Sequence, residues 1–147
     1  MSVKNIKIDK MRYQKNNLSY RLVLLGMALS VYTLFATITP KAVVPTFSTA
    51  VEILINIVLL LMTFLAAEKC RAYDKKWGIY LFVISGVHLL RVFYEPLKLY
   101  KLGQLTSAQY TWIVDIIIAT IALYVVAGVI TIQKHNALKA HLKEIGE

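Results

Sequence analysis

Four long apolar runs decide what this chain can become. Residues 22–38 carry no charge, 47–67 carry only Glu52, 77–94 only Arg91, and 110–132 only Asp115. A hydrocarbon core about 30 Å thick needs roughly 20 apolar residues in helical form to cross it. A helix also satisfies its own backbone groups where there is no water to do so. Each run is long enough once a few interfacial residues are added, and the 58% hydrophobic content of the 147 residues is concentrated in these blocks. The expected fold is an all-α integral membrane protein with four transmembrane helices over about 22–39, 47–68, 77–95 and 109–133. Short connections favour an antiparallel up-down bundle spanning 22–133. A basic arm, 1–21, precedes it, and a helical tail, 134–147, follows. The first run does not read as a cleaved leader, because a polar stretch precedes it and Thr37-Ile38-Thr39-Pro40 offers no small-x-small cleavage pattern.

Charge orients the bundle. Lys4, Lys7, Lys10, Arg12, Lys15 and Arg21 precede the first run; Lys69, Arg71, Lys75 and Lys76 lie between the second and third; Lys134, Lys139 and Lys143 follow the fourth. These 13 of the 17 Lys and Arg residues fall on one side of the implied membrane, against Lys41, Lys98 and Lys101 on the other. Positive flanks stay cytoplasmic, so both termini are expected inside the cell membrane. Asp9, Glu68, Asp74, Glu144 and Glu147 share that side, leaving it at +8 of the chain's +9. The single Cys70 excludes an internal disulfide and reads as a reduced interfacial thiol.

The helix ends have readable chemistry. Thr49-Ala50-Val51-Glu52 and Thr106-Ser107-Ala108-Gln109 fit capping boxes for the second and fourth helices. Pro40 and Pro45 bracket the first outer loop, and Pro96 is expected to end the third helix near Tyr94. Trp77, Tyr80, Tyr94, Tyr100, Tyr110 and Trp112 fall where amphipathic rings prefer the interface. Gly26-x-x-x-Ser30, Ser85-Gly86 and Ala127-Gly128 allow close helix approach. Four helices make a thin bundle, and a homodimer is expected.

Ionisable groups inside a membrane are costly and raise a functional question. Arg91 lies roughly 21 Å from the inner boundary and about 9 Å from the outer one at 1.5 Å per residue, and Asp115 lies at a similar depth on the fourth helix. His88, Arg91 and Glu95 share one helix face by their i, i+3, i+7 spacing. Together with Glu52 they form a cluster with two readings. One is an ion-paired seam in which Arg91 neutralises Asp115 or Glu95, Glu52 caps its helix and His88 bonds a neighbouring helix. The other is a proton, ion or solute site of a small transporter or transporter subunit, with His88 as a proton relay. No metal-ligand spacing, Ser-His-Asp pattern, Gly-rich phosphate loop or CxxC occurs, so neither catalytic residues nor a metal or cofactor are expected.

The basic face is the second candidate. The arm mixes Lys and Arg with amides, Tyr13 and Tyr20, and the inner loop reads Lys69-Cys-Arg-Ala-Tyr-Asp-Lys-Lys-Trp77. Phosphate contacts are expected from Lys4, Lys7, Lys10, Arg12, Lys15, Arg71, Lys75 and Lys76, with Tyr13, Tyr73 and Trp77 as base stackers. Membrane orientation aided by the anionic lipid bilayer explains the same charges more simply, at about 1 kcal/mol per basic residue near the surface. Docking of an acidic protein partner, as in a larger membrane assembly, is a third reading.

In its four spans, cytoplasmic termini, Arg/Lys/Tyr-rich arm and Lys69–Trp77 loop, the chain resembles the OLE-RNA-associated membrane proteins of Gram-positive bacteria. The resemblance covers the layout of most of the chain and rests on architecture and charge rather than on a residue-by-residue motif. It implies a homodimer that holds a large structured noncoding RNA at the cytoplasmic membrane. It transfers no site residue.

Overall fold

The computed structural model describes residues 15–39 and 46–145. Four helices follow in order: α1 (Asn17–Ile38), α2 (Phe47–Arg71), α3 (Lys75–Lys101) and α4 (Ser107–Ile145). No strand occurs among the described residues. All four helices are long and apolar enough to cross a membrane, so the chain folds as a multi-pass membrane protein. Sequential helices pack side by side and α4 closes the ring against α1, while the diagonal pairs barely touch. This is the expected antiparallel up-down bundle, with α4 as its most heavily packed member and α2–α3 as its loosest seam.

Each helix outruns its apolar run. The 39 residues of α4 span about 58 Å, roughly twice the hydrocarbon thickness. The expected helical tail is the last part of α4, which continues unbroken to Ile145. The basic arm is shorter than the expected 1–21, because α1 begins at Asn17 and its cap, Asn16, is fully buried.

The interior mixes apolar clusters with small hydroxyl side chains. Large apolar side chains such as Phe35, Leu61, Leu90 and Phe93 are exposed, whereas Ser30, Thr33, Thr63, Ser85, Thr120 and Thr131 are buried. Their hydroxyls are satisfied on their own helix: Thr63 donates to Leu59 O, Ser85 to Leu81 O and Thr131 to Ala127 O, each at 2.7–2.8 Å. A small hydroxyl bonded back to the preceding turn can be buried without an orphaned polar group. Among lipid tails, hydrophobicity drives nothing together, and close packing of small residues takes over.

Two glycines matter here. A Cβ on Gly128 would lie 2.8 Å from the carbonyl oxygen of Gly78, and one on Gly26 would lie 2.5 Å from Cε1 of Tyr124. Gly128 sets the α3–α4 backbone approach, and Gly26 seats the Tyr124 ring against α1. Gly86, by contrast, faces open space and is exposed, so Ser85-Gly86 is not a packing pair within this bundle.

Three expectations about helix ends are tested by the geometry. The Thr106/Gln109 box forms reciprocally: Thr106 N donates to Gln109 Oε1 at 2.9 Å, and Gln109 N to Thr106 Oγ1 at 3.3 Å. The Thr49/Glu52 box does not form. α2 starts three residues earlier than that box requires, Thr46 is its cap, and Thr49 is the residue whose N–H donates to Thr46 Oγ1 at 3.3 Å. A second threonine three positions upstream competes for the cap, because both offer the same acceptor. Pro96 does not end α3, which runs on to Lys101. Pro96 is fully buried, and the next turn places Leu99 in a cluster with Val92, Leu105, Ile113 and Ile117. That packing outweighs the one backbone bond a proline removes. α3 is capped instead by Leu102, followed by Gly103 at φ 69°, where Gln104 N donates to Leu99 O at 3.0 Å. A left-handed glycine just past the end is the usual helix stop.

Candidate functional site

Two regions gather chemistry, one at each half of the bundle. At the basic end the antiparallel order brings together the start of α1, the α2–α3 turn and the far half of α4. Asn16 ties them: its backbone N–H donates to Arg71 O at 3.0 Å, and its Nδ2 donates to Ser19 Oγ at 2.7 Å and to Thr131 Oγ1 at 3.3 Å. Ser19 Oγ donates in turn to Ala127 O at 3.2 Å. The α2–α3 turn needs a left-handed residue, and Tyr73 supplies it at φ 62°, a conformation that costs a non-glycine residue roughly 1–2 kcal/mol. Contact with α4 holds it there: Nδ1 of His135 lies 2.8 Å from the Tyr73 carbonyl. Asp74 then caps α3, accepting from Lys76 N at 3.0 Å.

This scaffold sorts the residues expected to contact RNA. Lys15, Lys75 and Lys76 are exposed, as are Arg21, Lys69, Lys139 and Lys143 at the same end. Arg71 is half-buried, with its guanidinium carbon 4.9 Å from the centre of the Tyr20 ring and Nη1 3.9 Å from Glu68. It fastens α2 to α1. Trp77 is half-buried against the core cluster of Val23, Ala66, Cys70, Leu81 and Tyr124 and lies 5.3 Å from the Tyr80 ring. Tyr73 is also half-buried, and the loss of solvent raises its phenol pKa above the ordinary value, keeping the hydroxyl protonated at neutral pH. Lys4, Lys7, Lys10, Arg12 and Tyr13 lie outside the described residues. Part of the charge has a local use: Lys69 and Arg71 sit in the last turn of α2 and Lys143 in that of α4, where the helix dipole favours cations.

The second region lies in the opposite half. His88, Arg91 and Glu95 share one face of α3, as their spacing implies. Arg91 pairs through Nε with Glu95 Oε2, and the two side chains are only 9% and 8% exposed. Arg91 Nη2 is buried and has no hydrogen-bond partner among the described residues. His88 is buried with its ring 5.6 Å from that of Tyr124 on α4, and the Tyr124 hydroxyl lies 3.1 Å from Ser30 Oγ on α1. Asn56 Nδ2 donates to the Glu52 carbonyl at 2.8 Å. Asp115 does not join them: it is exposed on α4, and Glu95 is the acid that neutralises Arg91. Equal depth is not equal azimuth, and a carboxylate one turn along the same helix is nearer than any on a neighbour.

Two cavities flank Arg91. A small one of about 10 Å³, room for roughly one water, is bounded by Ser30, Asn56, Thr63, His88 and Arg91. The larger, about 260 Å³, opens at the loose α2–α3 seam. Glu52, Asn56, Arg91 and Glu95 supply its polar groups, and Ile55, Leu59, Val87, Leu90 and Tyr94 supply its apolar wall.

No protein-family model, curated protein or solved structure matches this chain. Function must therefore be argued from these two regions. Among the described residues no three His, Cys, Asp or Glu side chains gather as a metal site. Asn16, Tyr124 and His135, which join helices at both regions, escape a reading by charge and hydropathy. Each is a single polar residue in a segment whose average character says something else. The only sequence signal is local, as in the Asn16-x-x-Ser19 spacing of a helix cap.

Proposed function

We propose that this protein is a non-enzymatic anchor of the cell membrane that binds structured RNA through its basic cytoplasmic end, with both termini on that side and a homodimer as the working unit. The observation that carries this reading is the convergence of exposed Lys15, Arg21, Lys69, Lys75, Lys76, Lys139 and Lys143 at one end of the bundle. Two of them, Lys75 and Lys76, sit on a turn pinned by His135 and Asp74. The neighbouring acids do not cancel this field: among the described residues at this end Glu68, Asp74 and Glu144 stand against nine Lys and Arg residues. Lysines held at fixed positions neutralise phosphates and release their counterions, which supplies affinity without reading sequence. The anionic bilayer beside the same surface would hold the complex close.

Electrophoretic mobility of a structured RNA with the micelle-solubilised protein tests this. Affinity should fall by orders of magnitude between about 50 and 200 mM salt. Replacing Lys75 and Lys76 by Ala should lower the salt slope by about 2, roughly one per phosphate contact. Arg71 is left intact because it fastens α2 to α1. An RNA complex that never forms, or one indifferent to salt, removes the proposal. A transporter built on all five intramembrane polar residues has less support, because Asp115 lines neither cavity.

A further inference from the structure

The face of α4 turned away from the other helices carries a regular pattern. Ala119, Val126, Gln133 and Ala140 recur every seven residues. Asp115, Ala122, Val129, Asn136 and Lys143 interleave with them in alternating steps of three and four. All nine are exposed. They follow roughly 42 Å of one unbroken helix. That spacing is the seam of two helices packed at about +20° in a left-handed pair. The seam also differs in kind from the other exposed faces. Leu61 and Phe64 on α2 and Leu90 and Phe93 on α3 present bulk to lipid tails. The α4 seam offers alanine and valine inside the apolar run and amides just past it. Small residues let two backbones approach where hydrophobicity drives nothing together.

We propose that this seam is where two copies of the chain meet, α4 against α4, parallel and in register. The inference rests on the homodimer reading above and names its surface. Two copies inserted with the same orientation have parallel α4 helices, and a twofold axis along the bundle sets each seam residue against itself. The residues suit that pairing. The amides of Gln133 and Asn136 each hold donors and an acceptor, so each bonds its own copy, and a seam amide fixes register. At the seam's edge Lys139 faces Glu144 of the second copy, and the twofold makes this contact twice. Both side chains are exposed. A partner of a single charge would match only one of them. Asp115 meets its own copy near the outer end, as the one like-charge contact within the apolar run. Pairing of this kind sets the two basic ends side by side as one surface.

The test uses the full chain without RNA. Single cysteines are placed in turn at positions 118 to 130 and, as controls, at Leu61 and Leu90; native Cys70 is fully buried and stays out of reach. Oxidation in vesicles should give disulfide dimers that peak at positions 119, 122, 126 and 129. In micelles, resonance energy transfer between labelled copies reads the dissociation constant. Ala122→Phe, at an exposed position that leaves the bundle intact, should raise it about tenfold. Lys139→Glu should raise it about threefold, and adding Glu144→Lys should restore it. Asp115→Asn should lower it. A dimer whose cross-links lack the three-four period, or form best at Leu61→Cys or Leu90→Cys, overturns the proposal and leaves the homodimer reading standing. So does a Lys139→Glu loss that Glu144→Lys does not rescue, or a dimer weakened by Asp115→Asn. A chain that is monomeric in both assays overturns the proposal and the homodimer reading together.

Discussion

Arg91→Leu should be among the most damaging single substitutions in the bundle, and adding Glu95→Leu should largely reverse the damage. The sign and size follow from exposure. An i, i+4 ion pair on a solvated helix contributes only about 0.3–0.5 kcal/mol. Arg91 and Glu95 are 9% and 8% exposed, which places them in the buried class. There, removing one partner strands the other charge and costs about 3–5 kcal/mol, while replacing both by apolar residues is often neutral or stabilising by 1–4 kcal/mol. Here the pair is also incomplete, because Arg91 Nη2 has no acceptor among the described residues, so the wild-type arrangement recovers less than its desolvation cost. Equilibrium unfolding in mixed micelles of a structured detergent and SDS gives the free energies of the wild type, both single variants and the double variant. The expected cycle has single losses of about 3 kcal/mol or more, a double variant within about 1 kcal/mol of wild type, and therefore a coupling of several kcal/mol. An Arg91→Leu protein within about 0.5 kcal/mol of wild type, the range of an exposed pair, would refute the reasoning. So would a double variant as unstable as the sum of the singles, since both results mean that the charges do not share a dry environment.

Three further expectations can be checked with ordinary tools. Gly26→Ala puts a methyl 2.5 Å from Tyr124 Cε1, and such overpacking should cost about 1–3 kcal/mol; Tyr124→Leu in the same chain should restore part of the loss in the mixed-micelle assay. Asn16→Ala removes a cap and an inter-helix bond at once, so about 1–2 kcal/mol should be lost, read by the same unfolding curves and by faster proteolysis ahead of α1. Cys70 is fully buried and should resist maleimide until SDS unfolds the bundle. That leaves Lys75→Cys and Lys101→Cys as topology probes, which an impermeant maleimide should label from opposite faces of sealed vesicles.

The spans were legible because one strong signal, uninterrupted hydropathy, coincides with one strong constraint, the absence of water. The Thr106/Gln109 cap was legible for a similar reason, since nothing competes with it. Thr49/Glu52 was not, because Thr46 carries the same hydroxyl one turn earlier. Pro96 misleads for a different reason. A proline raises the local cost of helix, and only the contacts of Leu99 beyond it reveal that the cost is met. Of the intramembrane cluster, the spacing of His88, Arg91 and Glu95 on one helix face was readable from position alone. The pairing of Arg91 was not: depth along a helix is additive in sequence, whereas azimuth between helices depends on packing.

The amino-acid sequence alone determines that this chain crosses a membrane with four helices, that its basic residues gather at one end, and that a few ionisable groups lie within the bilayer. These are sums and spacings along one dimension. Tertiary structure decides that Arg71 and Trp77 belong to the bundle's own fastening, that Asp115 is exposed while Glu95 is buried, and that α2 and α3 part beside an unsatisfied guanidinium. Each of those depends on which helix face meets which neighbour. Among lipid tails that choice is made by small residues, glycine contacts and single hydrogen bonds, whose effect appears only when four helices are brought together.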